Sequence, residues 1–139
     1  MKLGIAVTVV ALALLAPAVH AGEHAAVAQA QAAAEAWLAL IDAEKYAESW
    51  DAAATLFTAA VTRPDWERMV KAGRSPLGRV MARTLQSATF TRTLPGAPDG
   101  EYVVLRYATT FERKASAVET VTPMRDSDGA WRVSGYYIR

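Results

Sequence analysis

Apolar residues between positions 22 and 60 recur at the spacing of an α-helix, three or four residues apart. Two stripes have this spacing: Ala34, Trp37, Leu38 and Ile41 in the first, and Tyr46, Trp50, Ala53 and Phe57 in the second. The charged stretch DAEK at 42–45 separates them. The pattern predicts two antiparallel helices joined by a short turn, each burying an aromatic stripe in the core.

A third, shorter helix is predicted over 62–73, TRPDWERMVKAG. Thr62 is a suitable N-cap because Asp65 follows three residues later, and Pro64 falls in the first turn, where a missing N–H is tolerated. Gly73 is expected to end the helix, since glycine readily takes the left-handed conformation of a helix C-terminus. The next residues, RSPLG at 74–78, are expected to form a loop.

From about Arg79 the apolar period changes to two, which is typical of β-strands. The predicted strands cover 88–94, 101–114, 116–124 and 130–138, and turns rich in Gly, Pro and Asp lie at 95–100 and 125–129. Helices followed by consecutive strands indicate an α+β fold with about three helices and an antiparallel sheet of about four strands. We expect the sheet to be strongly curved, like a cone, so that it wraps the helices.

The alternation breaks in the last strand, AWRVSGYYI. Strict alternation would separate Trp131 and Val133 from Tyr136 and Ile138. A β-bulge at Gly135 would let these four residues share the inner face, with Trp131 buried against the helices. Because many bulges use a positive φ, Gly135→Val is expected to cost more than about 1 kcal/mol.

The N-terminus has the composition of a secretory signal peptide. Lys2 precedes an apolar stretch over 3–16, and Val19 and Ala21 occupy the −3 and −1 positions of a cleavage site. Residues 1–21 are therefore predicted to be removed, leaving a single domain over 22–139 in the periplasm of a Gram-negative bacterium or outside the cell. The alternative is an uncleaved anchor, which the short apolar stretch disfavours.

Three segments resemble a known family: AEAWLALIDAEKYAESWDAAATLF (34–57), PLG (76–78) and the chain from LPGAPDG (94–100) to WRVSGYYIR (131–139). They are similar to domain-of-unknown-function family 4019, which comprises small exported bacterial proteins. The order of elements resembles the nuclear-transport-factor-2-like (cystatin-like) cone, shared by ketosteroid isomerases and polyketide cyclases. The resemblance implies a fold and an envelope location but no reaction.

Charge is unevenly distributed along a predicted mature chain that is neutral overall. Residues 23–51 contain six acidic residues and one lysine, whereas 63–92 contain seven basic and two acidic residues. We interpret these segments as two faces that attract each other across the fold. The alternative is an anion-binding patch around Arg74, Arg79 and Arg83. Nucleic acid is not an expected partner of an exported, neutral chain.

Residue types that carry catalysis or bind metals are few. The chain has no Cys, and its two histidines, His20 and His24, lie in or directly after the signal peptide. No cofactor or metal is therefore expected. Carboxylates remain: a site of the ketosteroid-isomerase type would need Glu119 or Asp51 in an apolar pocket, with a tyrosine to hold the oxyanion. The favoured alternative is an ion pair of Glu119 with Arg106 or Arg132 on the outer sheet face.

The sequence therefore favours a noncatalytic envelope protein that binds a small apolar ligand or a protein partner, with a homodimer through the sheet as a further option. The competing function is a small lyase or isomerase. If a pocket lies between sheet and helices, its expected residues are Trp50, Tyr107 and Tyr136 at the wall and Arg106 or Glu119 as the polar group. The slightly favoured competing account is that the aromatic residues fill the core.

Overall fold

The structure, a computed structural model, describes residues 18–139; most of the predicted signal peptide, residues 1–17, lies outside this range. The helices are α1 (Ala18–Asp42), α2 (Tyr46–Asp51), α3 (Thr55–Ala60) and α4 (Arg63–Arg74), followed by a 3₁₀ turn over Ser75–Leu77. The strands are β1 (Val80–Thr91), β2 (Tyr102–Phe111), β3 (Lys114–Arg125) and β4 (Trp131–Ile138). Within residues 18–139, every helix is too short or too polar to cross a membrane.

The strands form one antiparallel meander in the order β1-β2-β3-β4, and α1 lies against all four of them. The predicted α+β class is confirmed. The predicted strong curvature is wrong, because the sheet is neither closed nor strongly curled. The helical layer explains the difference: α2 packs mainly on α1 and α4, so the sheet has to cover α1 rather than wrap a whole helical hairpin. The resemblance to a cone stays a prediction.

The second predicted helix, 46–57, is divided into α2 and α3 by Ala52–Ala54. The break has tertiary causes. The Ala54 N–H donates to the Val133 carbonyl at 2.8 Å, so the chain joins β4 there instead of continuing the helix. The carboxylate of Asp126, in the β3–β4 turn, accepts from both the N–H and the hydroxyl of Thr55, each at 3.0 Å. Residues 52–54 contain no glycine or proline from which this break could have been predicted.

Helix α4 begins as predicted and ends later. The Asp65 N–H donates to the Thr62 hydroxyl at 3.3 Å, which confirms the N-cap. The prediction that Gly73 ends the helix is wrong, since the helix continues to Arg74 and into the 3₁₀ turn. The stop is Gly78, which has a φ of +76° and whose added Cβ would lie 2.9 Å from the Glu112 Cβ. Both the left-handed backbone and the close approach require glycine there.

The β2–β3 hairpin turns at Glu112 and Arg113, so the strand predicted over 101–114 ends at Phe111. β1 begins at Val80 and ends at Thr91, earlier than the predicted 88–94 at both ends. Register puts four β2 residues on the inner face, all fully or almost fully buried: Val103, Leu105, Tyr107 and Phe111.

The predicted irregularity near Gly135 is confirmed. Thr122 pairs with Gly135 and Pro123 pairs with Val133, which leaves Ser134 as the extra residue of a bulge. Its hydroxyl donates to the Thr122 carbonyl at 2.7 Å. Proline has no backbone N–H, so Pro123 cannot donate an interstrand hydrogen bond at the bulge. The reason given for a costly Gly135→Val is wrong, because Gly135 does not have a positive φ and an added Cβ would meet Thr122 only at 3.9 Å.

An aromatic cluster fills the space between α1, α3, α4 and β4. Trp37 packs against three rings at centroid distances of 5.3–6.4 Å: Phe57, Trp66 and Tyr136. The indole N–H groups of Trp37 and Trp66 donate to the carbonyl and the hydroxyl of the fully buried Ser49, at 2.8 and 2.9 Å. The packed rings and these hydrogen-bonded indole groups make this region part of the hydrophobic core. Trp131 is half-buried against the same core.

Candidate functional site

Glu119 is the most deeply buried carboxylate of the described chain, with no exposed surface. It lies on β3 between Ala117 and Val121, which are also buried, and pairs with Tyr107 of β2. Strand parity therefore points it toward the helices. The predicted ion pair with Arg106 or Arg132 on the outer face is wrong. Arg106 pairs in register with Thr120 on the opposite face and is exposed.

Both oxygens of Glu119 accept hydrogen bonds from side chains of the other three strands. Oε1 accepts from Arg83 Nε at 2.7 Å and from the Thr109 hydroxyl at 2.6 Å. Oε2 accepts from Arg83 Nη2 at 3.3 Å and from the Tyr136 hydroxyl in a short bond. Donors on β1, β2 and β4 thus all bind one β3 side chain. Because a buried charge is costly without a partner, the pairing of the Glu119 carboxylate with Arg83 is what allows its burial.

A second carboxylate, Asp42 at the end of α1, extends this arrangement. Arg83 donates to it in a bidentate manner, through Nη1 at 2.8 Å and Nη2 at 3.0 Å. Arg74 of α4 donates to Asp42 through Nη2 at 3.1 Å, and its guanidinium lies 4.9 Å from the ring centroid of Phe111. We call the whole set the Glu119 cluster: Asp42, Arg74, Arg83, Thr109, Glu119 and Tyr136.

The charges of the cluster balance, two guanidinium groups against two carboxylates. Burial alone would lower the pKa of Arg83, but hydrogen bonds to Asp42 and Glu119 raise it above its ordinary value. Partial burial would raise the pKa of Asp42, and the two arginines reverse this and lower it. Burial and the charge of Glu119 both raise the pKa of Tyr136, so its hydroxyl stays protonated and donates.

An open groove of about 400 Å³ lies beside this cluster, between α4 and the end of β4. We call it the α4–β4 groove. Its helical wall is apolar and includes Trp66, Met69 and Val70; Tyr136 and Ile138 line the strand side. Arg74 lies between the groove and the Glu119 cluster and belongs to both. The volume falls within the range of small-molecule sites.

The structure brings together some of the predicted site residues and separates others. Glu119 and Tyr136 are in contact, and Tyr136 lines the α4–β4 groove. Tyr107 lies beside Glu119 in register, but its buried hydroxyl has no hydrogen-bond partner among the described residues. Burial, with nearby negative charge, raises the pKa of Tyr107 to about 12. Arg106 lies on the far face of the sheet, and half-buried Trp50 donates its indole N–H to the Val61 carbonyl at 2.8 Å.

The interpretation of the uneven charge is confirmed. Ion pairs join the acidic segment 23–51 to the basic segment 63–92: Asp42–Arg74, Asp42–Arg83 and Asp51–Arg63. The alternative, an anion-binding patch around three arginines, is wrong because each of them already pairs with a carboxylate. Arg74 and Arg83 bind Asp42, and Arg79 binds Glu112 at 2.9 Å.

Sequence reasoning selected Glu119 but missed Arg83, Thr109 and Asp42 as its surroundings. The only available signal was the opposite charge of the two segments, which pairs the segments and not individual residues. Asp51, the second proposed catalytic carboxylate, is exposed and binds Arg63 at 2.7 Å. Between residues 18 and 139, His, Asp and Glu side chains do not gather in groups of three or more that could hold a metal ion.

A search of curated proteins and a search of solved structures each found no significant match to this chain. A family model does match, over residues 33–136, which is most of the chain and includes every residue of the Glu119 cluster. Its description is "Protein of unknown function (DUF4019)". The chain therefore belongs to the DUF4019 family of proteins of unknown function.

Proposed function

We propose that the protein is an exported, noncatalytic binding protein whose α4–β4 groove holds a small, largely apolar molecule. The observation that carries this proposal is the exposed apolar wall of the groove. Met69 is 61% exposed and lies next to Trp66 and Val70 on α4. Methionine is flexible and polarisable, so it adapts to ligands of irregular shape. Tyr136 adds an apolar ring from the facing strand.

The alternative, a lyase or isomerase of the ketosteroid-isomerase type, has less support from the geometry. A general base must come within hydrogen-bond distance of the proton that it removes. Glu119 has no exposed surface, and both its oxygens are occupied by Arg83, Thr109 and Tyr136. This arrangement suits a structural charge cluster better than a base that has to meet a substrate.

Two methionines of equal exposure provide a matched test. Met69 lies in the groove, whereas Met81 lies on β1 outside it, and each is 61% exposed. Phenylnaphthylamine, an uncharged apolar dye, should bind the wild-type protein saturably and fluoresce. Met69→Gln should weaken this binding about three- to fivefold, because part of the apolar contact is lost. Met81→Gln should leave it unchanged.

Equal effects of the two substitutions would place the dye elsewhere on the protein. Absence of saturable binding would contradict the proposal and favour a protein–protein role. Both variants should unfold at the wild-type denaturant midpoint, because both side chains are largely exposed.

Export is the second part of the proposal and rests on the N-terminal sequence. The apolar stretch over 3–16 and the Val19–Ala21 cleavage motif support removal of residues 1–21. Intact-mass measurement on an envelope fraction should then give a chain that begins at Gly22. A full-length chain in the cytosolic fraction would contradict export.

A further inference from the structure

We propose that the occupant of the α4–β4 groove is an amphipathic anion, with one negatively charged head group and an apolar body. This inference rests on the proposed function and specifies the ligand class. The described residues that line the groove include three cationic side chains, Arg74, Lys114 and Arg139, and no acidic one. A groove with one sign of charge and an apolar wall favours a ligand of complementary charge.

Two of these cations have no carboxylate partner. Within the part of the chain that the structure describes, neither Lys114 nor Arg139 belongs to an ion pair. Arg139 instead lies over the ring of Tyr137, 5.3 Å from its centroid. Lys114 and Arg139 are thus the groove-lining cations whose charge no Asp or Glu side chain among the described residues balances.

The cations of the groove that have no carboxylate partner lie on the strand side. Lys114 begins β3 and Arg139 follows β4, whereas the third cation, Arg74, lies on α4 and is paired with Asp42. The helix contributes Trp66, Met69 and Val70. An anionic head against the strand ends would leave the apolar body against α4. This separation fits an amphipathic molecule better than an inorganic anion, which would not use the apolar wall.

Arg74 lines the groove on the side of the Glu119 cluster and brings a third guanidinium or ammonium group to it. Asp42 binds its Nη2, but its buried Nε has no hydrogen-bond partner among the described residues. Because Asp42 already compensates its charge, we assign the head group to Lys114 and Arg139.

A pair of dyes that differ only in charge tests the ligand class. Anilinonaphthalene sulfonate has the ring skeleton of phenylnaphthylamine plus one sulfonate. The wild-type protein should bind the sulfonate at least about fivefold more tightly at low salt, and this preference should shrink as salt is added. The double variant Lys114→Gln/Arg139→Gln should lose roughly five- to tenfold affinity for the sulfonate and less than about twofold for the neutral dye.

Lys71→Gln is the matched control, since Lys71 lies on α4 and does not line the groove. It should leave the affinity for both dyes unchanged. An equal effect of Lys71→Gln on the sulfonate would mean that overall charge, not the groove, attracts the anion, and would overturn the inference. Equal affinity of the wild-type protein for both dyes would also overturn it, while the proposed function would stand. If neither dye binds, the proposed function itself fails.

Displacement experiments distinguish the head groups. Decanoate and decyl phosphate should displace the bound sulfonate dye, whereas decanol, with the same chain and no charge, should displace it at least about fivefold less well. The order of the two anions identifies a carboxylate or a phosphate as the preferred head. Displacement by decanol equal to that by decanoate would contradict the charge assignment.

Discussion

Arg83 and Arg132 make nearly the same contacts in different surroundings. Each donates to one carboxylate in a bidentate manner, Arg83 to Asp42 and Arg132 to Asp128, with distances between 2.7 and 3.0 Å. Each also binds a second carboxylate, Glu119 at 2.7 Å in one case and Asp126 at 3.2 Å in the other. By hydrogen-bond geometry alone the two sites would be equivalent.

They differ in burial and in distance along the chain. The Arg83 side chain is 16% exposed and the Arg132 side chain 33%. Of their bidentate partners, Asp42 is 31% and Asp128 is 56% exposed, and of the second carboxylates, Glu119 is fully buried and Asp126 is 9% exposed. Asp128 is four residues from Arg132, but Glu119 is 36 residues from Arg83. Water compensates the loss of a partner at the exposed site and cannot do so at the buried one. The comparison indicates that desolvation, more than contact geometry, decides how much stability is lost when one partner of an ion pair is removed.

Removal of Arg83 should have the largest effect. Arg83→Met leaves Glu119 buried without its cation, which costs about 3–5 kcal/mol in the free energy of unfolding. Chemical denaturation of purified protein measures this loss. Adding Glu119→Gln to the same chain should recover part of the lost stability, because the uncompensated charge is then absent. A loss below about 1 kcal/mol for Arg83→Met would show that water reaches Glu119.

Acid should weaken the Glu119 cluster because it protonates Asp42. The folded-state pKa of Asp42 is lowered from its ordinary 3.8, after the arginines overcome the opposite effect of burial. Its ionisation therefore stabilises the fold fully above that value, and the contribution is lost as pH falls through the lower folded pKa. Asp42→Asn should be less stable than the wild type at neutral pH, by less than Arg83→Met.

The difference between the wild type and Asp42→Asn should shrink as pH falls from about 5 to about 3, in denaturation curves taken across that range. The pKa of Asp128 is also lowered, by hydrogen bonds from Arg132 and from the Ala130 N–H. The side chain of Asp128 is 56% exposed and that of Asp42 is 31% exposed, so added salt should reduce the contribution of Asp128 more than that of Asp42. Equal salt sensitivity of Asp42→Asn and Asp128→Asn would contradict the contrast between the two sites.

Removal of Arg132 should have the smallest effect. Arg132→Gln is expected to cost less than about 1 kcal/mol in the free energy of unfolding, because water solvates the exposed Asp128 and Asp126 keeps its two hydrogen bonds from Thr55. At about 1 M salt even this difference should almost vanish. A loss as large as that of Arg83→Met would mean that the β3–β4 turn is essential to the fold.

Local pattern predicted most of the secondary structure. The first helix stripe, the Thr62 cap and the bulge beside Gly135 all follow from spacing within a few residues, and the structure contains each of them. The break between α2 and α3 could not be predicted in this way. It depends on Ala54 bonding to Val133 and on Thr55 bonding to Asp126, contacts that span more than 70 residues.

The candidate site likewise has one part that the sequence predicted and another part that it could not predict. Glu119 was predicted as a site residue because a carboxylate on a strand could act together with a tyrosine to form a site of the ketosteroid-isomerase type. Its cross-strand partners were sought on the wrong face, since the parity of β3 was assigned without knowing that Ala117 and Val121 face the helices. Arg83 is two strands away from β3 in the sheet, and only the strand order brings the two side chains together. The α4–β4 groove likewise depends on how α4 lies against β4.

The Glu119 cluster has a consequence for which sheet the chain can form. A slip of β3 by one residue against β2 would turn Glu119 to the outer face and bring its neighbours Val118 and Thr120 inward. Arg83 would then remain between the layers without its second carboxylate, and the hydroxyls of Thr109 and Tyr136 would lose their acceptor. The native alignment is the one that pairs all of these groups, so the cluster penalises misaligned sheets even where its net contribution to stability is small.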